Sequence, residues 1–240
     1  MRFNFLFSSD CLSETIWKGE LMELYDRIHA SEELKTYILA GNRVLGEIGF
    51  TEHGLAHAGT VSKLSCEILE RLGYSEHECE LARIAGYMHD IGNMVNRFDH
   101  AQSGALMAFD LLRSMDVNPK DIAQIVGAIG HHDEKTAAPI SPIAAALILA
   151  DKSDVRRSRV RNSKTVSTDI HDRVNFAVFS SELEVDGEEK LIILRLKIDN
   201  DICPVMEYFE IFLDRMVLCK KSAAKLGCSF ELIINETRLL

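Results

Sequence analysis

Seven of the nine histidines in this 240-residue chain fall between His53 and His132, and most of them lie in register with apolar rows. At helical spacing, side chains three, four and seven positions apart share a face. His57 thus heads a stripe with Val61, Leu64 and Ile68, and His53 lies one turn earlier. Leu81, Ala85 and His89 form a second row, with Asp90 about 100° further round the helix. His100, Gly104, Met107 or Ala108, and Leu111 form a third, and Ile122, Ile125, Ile129 and His132 a fourth. Ile143, Leu147 and Asp151 form a fifth, ending on a carboxylate. One histidine on an apolar face is ordinarily a core residue satisfied by a carbonyl. Five helices that each carry a His or Asp at the same kind of position are another matter, because buried ionisable groups are costly unless paired or metal-bound. A bundle interior lined by His and Asp is a metal site.

The donors are imidazole nitrogens and carboxylate oxygens without thiolate, which suits Fe or Mn, with Zn, Co, Ni or Mg as further candidates. One ion is satisfied by about four protein ligands, and there are more candidates than that. Two divalent ions bridged by Asp90, with a hydroxide between them, account for the surplus. Of the paired His131 and His132, periodicity favours His132, while a helix ending at Gly130 would let both reach inward.

Around these rows the chain reads as helices with punctuation. Residues 13–48 are helical with one or two breaks, Gly41 and Gly49 being expected stops. Residues 51–72 follow, with Gly73 beyond their end. Ser75 and Glu78 have the spacing of a capping box, opening a helix that Gly92 should close. Further helices are expected over 99–115, from Pro119 to Gly130 or His131, and from Pro142 past Asp151. After about Ser163 the pattern changes. Residues 173–183 and 191–198 alternate as strands around an Asp186-Gly187 turn, residues 204–226 form an amphipathic helix, and residues 228–234 a last strand. The expected fold is mainly α: a helical domain over 1–165, with its motif core at 50–160, then a small β-β-α-β (α+β) unit over 166–240 that could dimerise the chain or bind an effector.

Lys and Arg number 27 against 37 Asp and Glu, a net charge of −10, which argues against an extended nucleic-acid partner. The six cysteines are scattered without a pairing framework. The N-terminal residues are too polar for a secretory signal, and the longest apolar run, Ile143 to Ala150, is too short to span a bilayer. A cytoplasmic protein with no membrane partner is expected.

The ordered set His57, His89-Asp90, His100, His131-His132 and Asp151, carried by TEHGLAHAGTVSKL, AGYMHDIGN, FDHAQSGAL, IGHHDE and ILADKSDVRRSR, resembles the HD-domain metal-dependent phosphohydrolase superfamily. The resemblance implies a helical HD fold and hydrolysis of a phosphate ester or anhydride of a phosphorylated small molecule or nucleotide. It implies a first metal on His57, His89, Asp90 and Asp151. A second would be bridged by Asp90 and held by His100 and by His131, His132 or both. His53 is a candidate for an additional metal or substrate contact, or else a helix-start histidine.

His89 and Asp90 are thereby the central catalytic pair, and Asp133 or Glu134 could assist proton transfer. Lys152, Arg156 and Arg157 follow Asp151 closely and are the expected phosphate-orienting residues; Arg159 and Arg161 could equally be a solvated ion-pair face. The chain is similar to cyclic-di-GMP phosphodiesterases (HD-GYP) in its paired histidines, but the GYP segment is missing. It is similar to the symmetrical dinucleoside tetraphosphatases in HAQSGA and ALILADKSDVRRSR. A di-iron oxygenase of the same superfamily would use nearly the same ligands, and a metal or nucleotide sensor without turnover is a third reading. The second His-Asp pair, His171-Asp172, lies in the strand-rich region and is expected to be chance.

Overall fold

A computed structural model of the chain describes residues 24–161 and 170–239. Seven helices precede the gap in the described residues: α1 (Leu24–Ala30), α2 (Glu32–Glu47), α3 (Leu55–Arg71), α4 (Glu76–Met88), α5 (His100–Ser114), α6 (Pro119–Gly130) and α7 (Pro142–Ser153). Their starts follow local chemistry. Ser31 and Ser141 each accept a backbone N–H three residues on, and Asn118 accepts one two residues on, with Pro119 and Pro142 opening their helices. Ser75 and Glu78 form the expected reciprocal capping box.

Apolar residues around its whole circumference bury α7, whose residues from Ile143 to Ala150 are all excluded from solvent. It is the central rod, with α3, α4 and α6 packed against it. No described helix is long and apolar enough to cross a membrane.

Beyond the gap come α8 (Ile170–Ala177), β1 (Val178–Asp186), β2 (Leu191–Ile198), α9 (Val205–Lys225), β3 (Ser229–Ile234) and β4 (Thr237–Arg238). The strands form one sheet in the order β1-β2-β3-β4. β1 and β2 are an antiparallel hairpin, β3 returns parallel to β2 after α9, and β4 is antiparallel to β3. Alternation in β2 buries Ile192, Leu194, Leu196 and Ile198 against α9, which in turn packs on α7. The mainly helical fold with a small C-terminal sheet is the class the sequence indicates.

Several local expectations change. Residues 173–177 belong to α8, and the strand begins only at Val178. Gly41 lies inside α2, which runs on to Glu47 because packing of its buried face outweighs a glycine's weak helix propensity. α4 ends at Met88 rather than Gly92, and the chain turns through a short 3-10 helix, Ile91–Met94. β4 was not expected. The expected boundary near residue 165 and the start of the first helix at residue 13 lie outside the described residues.

Candidate metal centre

The histidines sit at helix ends that meet. His57 is in the first turn of α3, His89 and Asp90 follow the last residue of α4, His100 opens α5, His132 follows α6, and Asp151 lies in the last turn of α7. Gly86 lets α3 and α4 close on one another, since a Cβ there would lie 2.8 Å from the Ser62 Cα. His57, His89, His100 and His132 are all buried, as is Asp90.

Hydrogen bonds fix how each ring faces. The Nδ1 of His57 lies 2.7 Å from Asp154 Oδ2, and that of His89 lies 2.8 Å from the Gly86 carbonyl. The Nδ1 of His100 is 3.0 Å from the Arg97 carbonyl, and that of His132 is 2.7 Å from the Ile129 carbonyl. These partners only accept, so each Nδ1 carries the hydrogen and each Nε2 of the neutral ring is a lone pair, that of His100 also facing Arg97 Nη1 at 3.2 Å. The lone pairs face each other in two couples: His57 to His89 at 3.3 Å, and His100 to His132 at 3.2 Å.

Asp90 stands between the couples. Its Oδ2 is 3.4 Å from His89 Nε2 and 3.7 Å from His57 Nε2, while its Oδ1 is 3.5 Å from His100 Nε2 and 3.8 Å from His132 Nε2. Asp151 Oδ1 joins the first couple, 3.4 Å from His57 Nε2. Asp133 Oδ1 lies 3.9 Å from His100 Nε2. Burial would raise the Asp90 carboxyl, but His89 and His132 hold it well below the usual range. For Asp151 burial is likewise outweighed, by Lys152 and His57. Asp90 Oδ2 is buried without a hydrogen-bond partner.

Facing lone pairs and a bare buried carboxylate oxygen repel one another unless positive charge lies between them. The donors fit such a charge. His57, His89 and Asp151 place their ligand atoms within 4.8 Å of one another, and so do His89, Asp90 and His132, in an oxygen and nitrogen set that suits a divalent transition ion.

Residues 54–156 match the family model described as HD domain. Over these residues the chain is similar to an HD domain. A curated relative, an uncharacterized protein of Methanocaldococcus jannaschii, is 24% identical over 202 residues, covering 74% of this chain and 77% of that one. A crystal structure of a predicted HD superfamily hydrolase from an uncultured Thermotogales bacterium is 25% identical and covers 56% of this chain and 75% of that one, with a TM-score of 0.42.

Around the donors the other expected residues divide. His131 does not join the donors: its Nδ1 lies 2.9 Å from the Gly127 carbonyl, because α6 ends at Gly130 and adjacent residues diverge. His53 lines the cleft above the donors, its ring edge-on to that of His57 with centroids 5.3 Å apart and its Nδ1 2.8 Å from the Thr51 carbonyl. Burial, then Arg159, pushes it well below the usual histidine value, so it stays neutral.

Lys152 is at the site, buried with Nζ 2.7 Å from Asp151 Oδ2 and 3.6 Å from Glu134 Oε1. Arg156 and Arg157, expected to orient phosphate, point elsewhere. The Arg156 guanidinium binds Asp154, with Nη2 3.0 Å from Oδ2. That of Arg157 donates to the Phe176 carbonyl and lies over the Phe176 and Phe179 rings. Arg159 and Arg161 are spent on backbone carbonyls, Arg159 on those of Glu52 and Asp154.

Two functional features escaped the sequence reading. Asp154 orients His57, and its spacing of three from Asp151, which puts both on one face, was the signal. The cleft of about 320 Å³ over the donors also draws Asp172 and Asn175 from α8, and Phe212 and Arg215 from α9. Asp172, set aside as a chance neighbour of His171, lines the cleft because α8 packs against α9 and the turn at Arg157–Arg159.

Proposed function

We propose that this chain is a metal-dependent phosphohydrolase that cleaves a phosphate ester or anhydride of a small molecule, a nucleotide, at a centre of two divalent ions, Fe or Mn. The observation that carries the reading is Asp90, whose two oxygens each face a different couple of histidine lone pairs. His57, His89, Asp151 and Asp90 Oδ2 would hold one ion, and His100, His132 and Asp90 Oδ1 the other. Bound there, the ions would lower the pKa of an attacking water and neutralise the phosphoryl group.

The chain's own groups do the rest. Asp133 Oδ1, beside His100 and facing the cleft, can take the proton of the attacking water. Lys152 remains an ammonium: burial would lower it, but Asp151 and Glu134 outweigh that and raise it. Its charge is therefore available to a phosphoryl oxygen next to Asp151. The overall charge of −10 does not bar an anionic substrate. Arg97, Lys135, Lys152, Arg159 and Arg215 line the cleft, balancing Asp90, Asp133, Glu134, Asp151 and Asp172. Divalent ions would turn that balance positive.

The test is elemental analysis of the purified protein, followed by a phosphoester and nucleotide panel with Mn and Fe under anaerobic conditions. Phosphate release that disappears in Asp90→Ala, with the helical circular dichroism retained, is the expected result. Oxygen uptake by the iron-loaded protein without phosphate release would replace the reading with an oxygenase. Full activity in Asp90→Ala would overturn the metal assignment.

A further inference from the structure

The HD match ends at residue 156, but the cleft does not. Its outer wall comes from α8 and α9, and on that wall stands Arg215. Its guanidinium lies over the Phe212 ring at 4.3 Å and its Nε faces Glu134 Oε1. Neither terminal nitrogen of Arg215 has a hydrogen-bond partner among the described residues, and its side chain keeps 25% of its exposure. Of the other cations around the cleft, Lys135 lies over the Phe98 ring and the remaining three have polar partners. Lys152 sits against Asp151, Arg159 against two backbone carbonyls, and Arg97 against His100 and Asn93.

The ion pairs form an alternating row from the donors outward: Asp151, Lys152, Glu134, Arg215. Arg215 is the last member, separated from the metal donors by two charged side chains. A flat guanidinium stacked on an aromatic ring, with its Nε side turned to a carboxylate, presents its two terminal nitrogens as a fork, the geometry that takes a carboxylate or phosphate in two parallel hydrogen bonds.

We infer that the α8–α9 wall is a second subsite of the cleft, in which Arg215 binds an anionic group of the substrate other than the one that reacts. The inference rests on the phosphohydrolase reading and narrows its substrate class to a small organic phosphate carrying a second phosphate or a carboxylate. The volume sets the upper limit. About 320 Å³ is at the small end of ligand pockets, which run from roughly 300 to 1,000 Å³, and suits one nucleotide-sized molecule rather than a dinucleotide.

The experiment compares matched pairs that differ by the second anion: adenosine 5′-monophosphate with adenosine 3′,5′-bisphosphate, and glycerol 3-phosphate with 3-phosphoglycerate. Calorimetric binding to the metal-loaded protein is measured alongside kcat/KM, for the wild type, Arg215→Ala and Arg215→Lys. In at least one pair the wild type should favour the two-anion member by about tenfold or more, the worth of one charge-assisted hydrogen-bonded contact. Arg215→Ala should erase that preference while leaving the one-anion member and the metal content unchanged, and Arg215→Lys should restore part of it. Equal wild-type affinity within both pairs overturns the inference. So does a preference that survives Arg215→Ala, or an equal loss for both members. A binding preference lost in Arg215→Ala, with hydrolysis of neither compound, would overturn the hydrolase reading and leave the subsite standing.

Discussion

His57 donates from Nδ1 to Asp154 Oδ2 over 2.7 Å, and both side chains are buried. The contact fixes the ring so that Nε2 faces His89 and Asp90. Asp154 is itself held by Arg156 and lies within reach of Arg159. Carboxylates in this position raise the basicity of a ligating imidazole and fix its orientation. Asp154→Ala should weaken metal binding by about 10–100-fold. It should also cost about 1–3 kcal/mol of stability, because the buried Nδ1–H of His57 loses its acceptor. Metal titration by calorimetry and a thermal melt check both, and unchanged metal affinity would show that His57 is oriented without Asp154.

The adjacent histidines after α6 separate cleanly. His132 faces His100 and Asp90, whereas His131 turns to the Gly127 carbonyl. His132→Ala should lower the metal bound per chain and abolish turnover. His131→Ala should leave both within about twofold, the ordinary spread of a surface substitution. Metal content per chain, measured on the two variants side by side, decides it.

In the metal-free protein burial would lower the His89 imidazole, but the Asp90 and Asp151 carboxylates and the Gly86 carbonyl outweigh it and hold it above the usual value. A raised folded value contributes stability that is fully present below the unfolded value of about 6.5 and is lost as pH rises through the folded value. Metal binding has the opposite sign, because it needs a bare Nε2. The rise in Tm on adding Mn should therefore grow between about pH 6 and about pH 8. A rise that shrinks over this window would exclude His89 from the ligands.

Gly92 sits where the turn after Asp90 meets the start of α5. A Cβ there would lie 2.0 Å from the His100 carbonyl oxygen and 2.5 Å from the Gly104 nitrogen. Both are backbone atoms, so α5 must shift, and His100 with it. Gly92→Ala should cost about 3 kcal/mol and lower the bound metal together with the stability. Thermal denaturation and metal analysis on the same sample would show the loss, and an unaltered metal content would mean that α5 yields without moving His100.

Legibility differed between the two halves of the site. The rows that carry His57, His89, His132 and Asp151 could be read off because helical periodicity is local and each element is long enough to show it. Arg156 and Arg157 were misplaced because closeness to Asp151 along the chain does not survive the end of α7: the chain leaves the helix at Asp154 and turns their side chains to Asp154 and Phe176. Residues 173–177 alternate like a strand yet form α8, since a short segment takes the structure its packing against α9 requires.

By itself, then, the sequence determined a helical bundle with an inward-facing set of imidazoles and carboxylates, because the spacing of polar residues within apolar rows decides which face they occupy. It also determined the hairpin, the long C-terminal helix and the strand β3 that follows it, where alternation and turn residues agree. Only the tertiary structure decided that Asp90 divides its two oxygens between two histidine couples, that His132 rather than His131 joins them, that Asp154 orients His57, and that Arg215 lines the cleft. These are relations between helix ends far apart in the chain, brought together by the packing of α3, α4, α6 and α9 on the buried rod of α7. Periodicity sets a side chain's face, whereas the distance between two lone pairs is set by how whole elements meet.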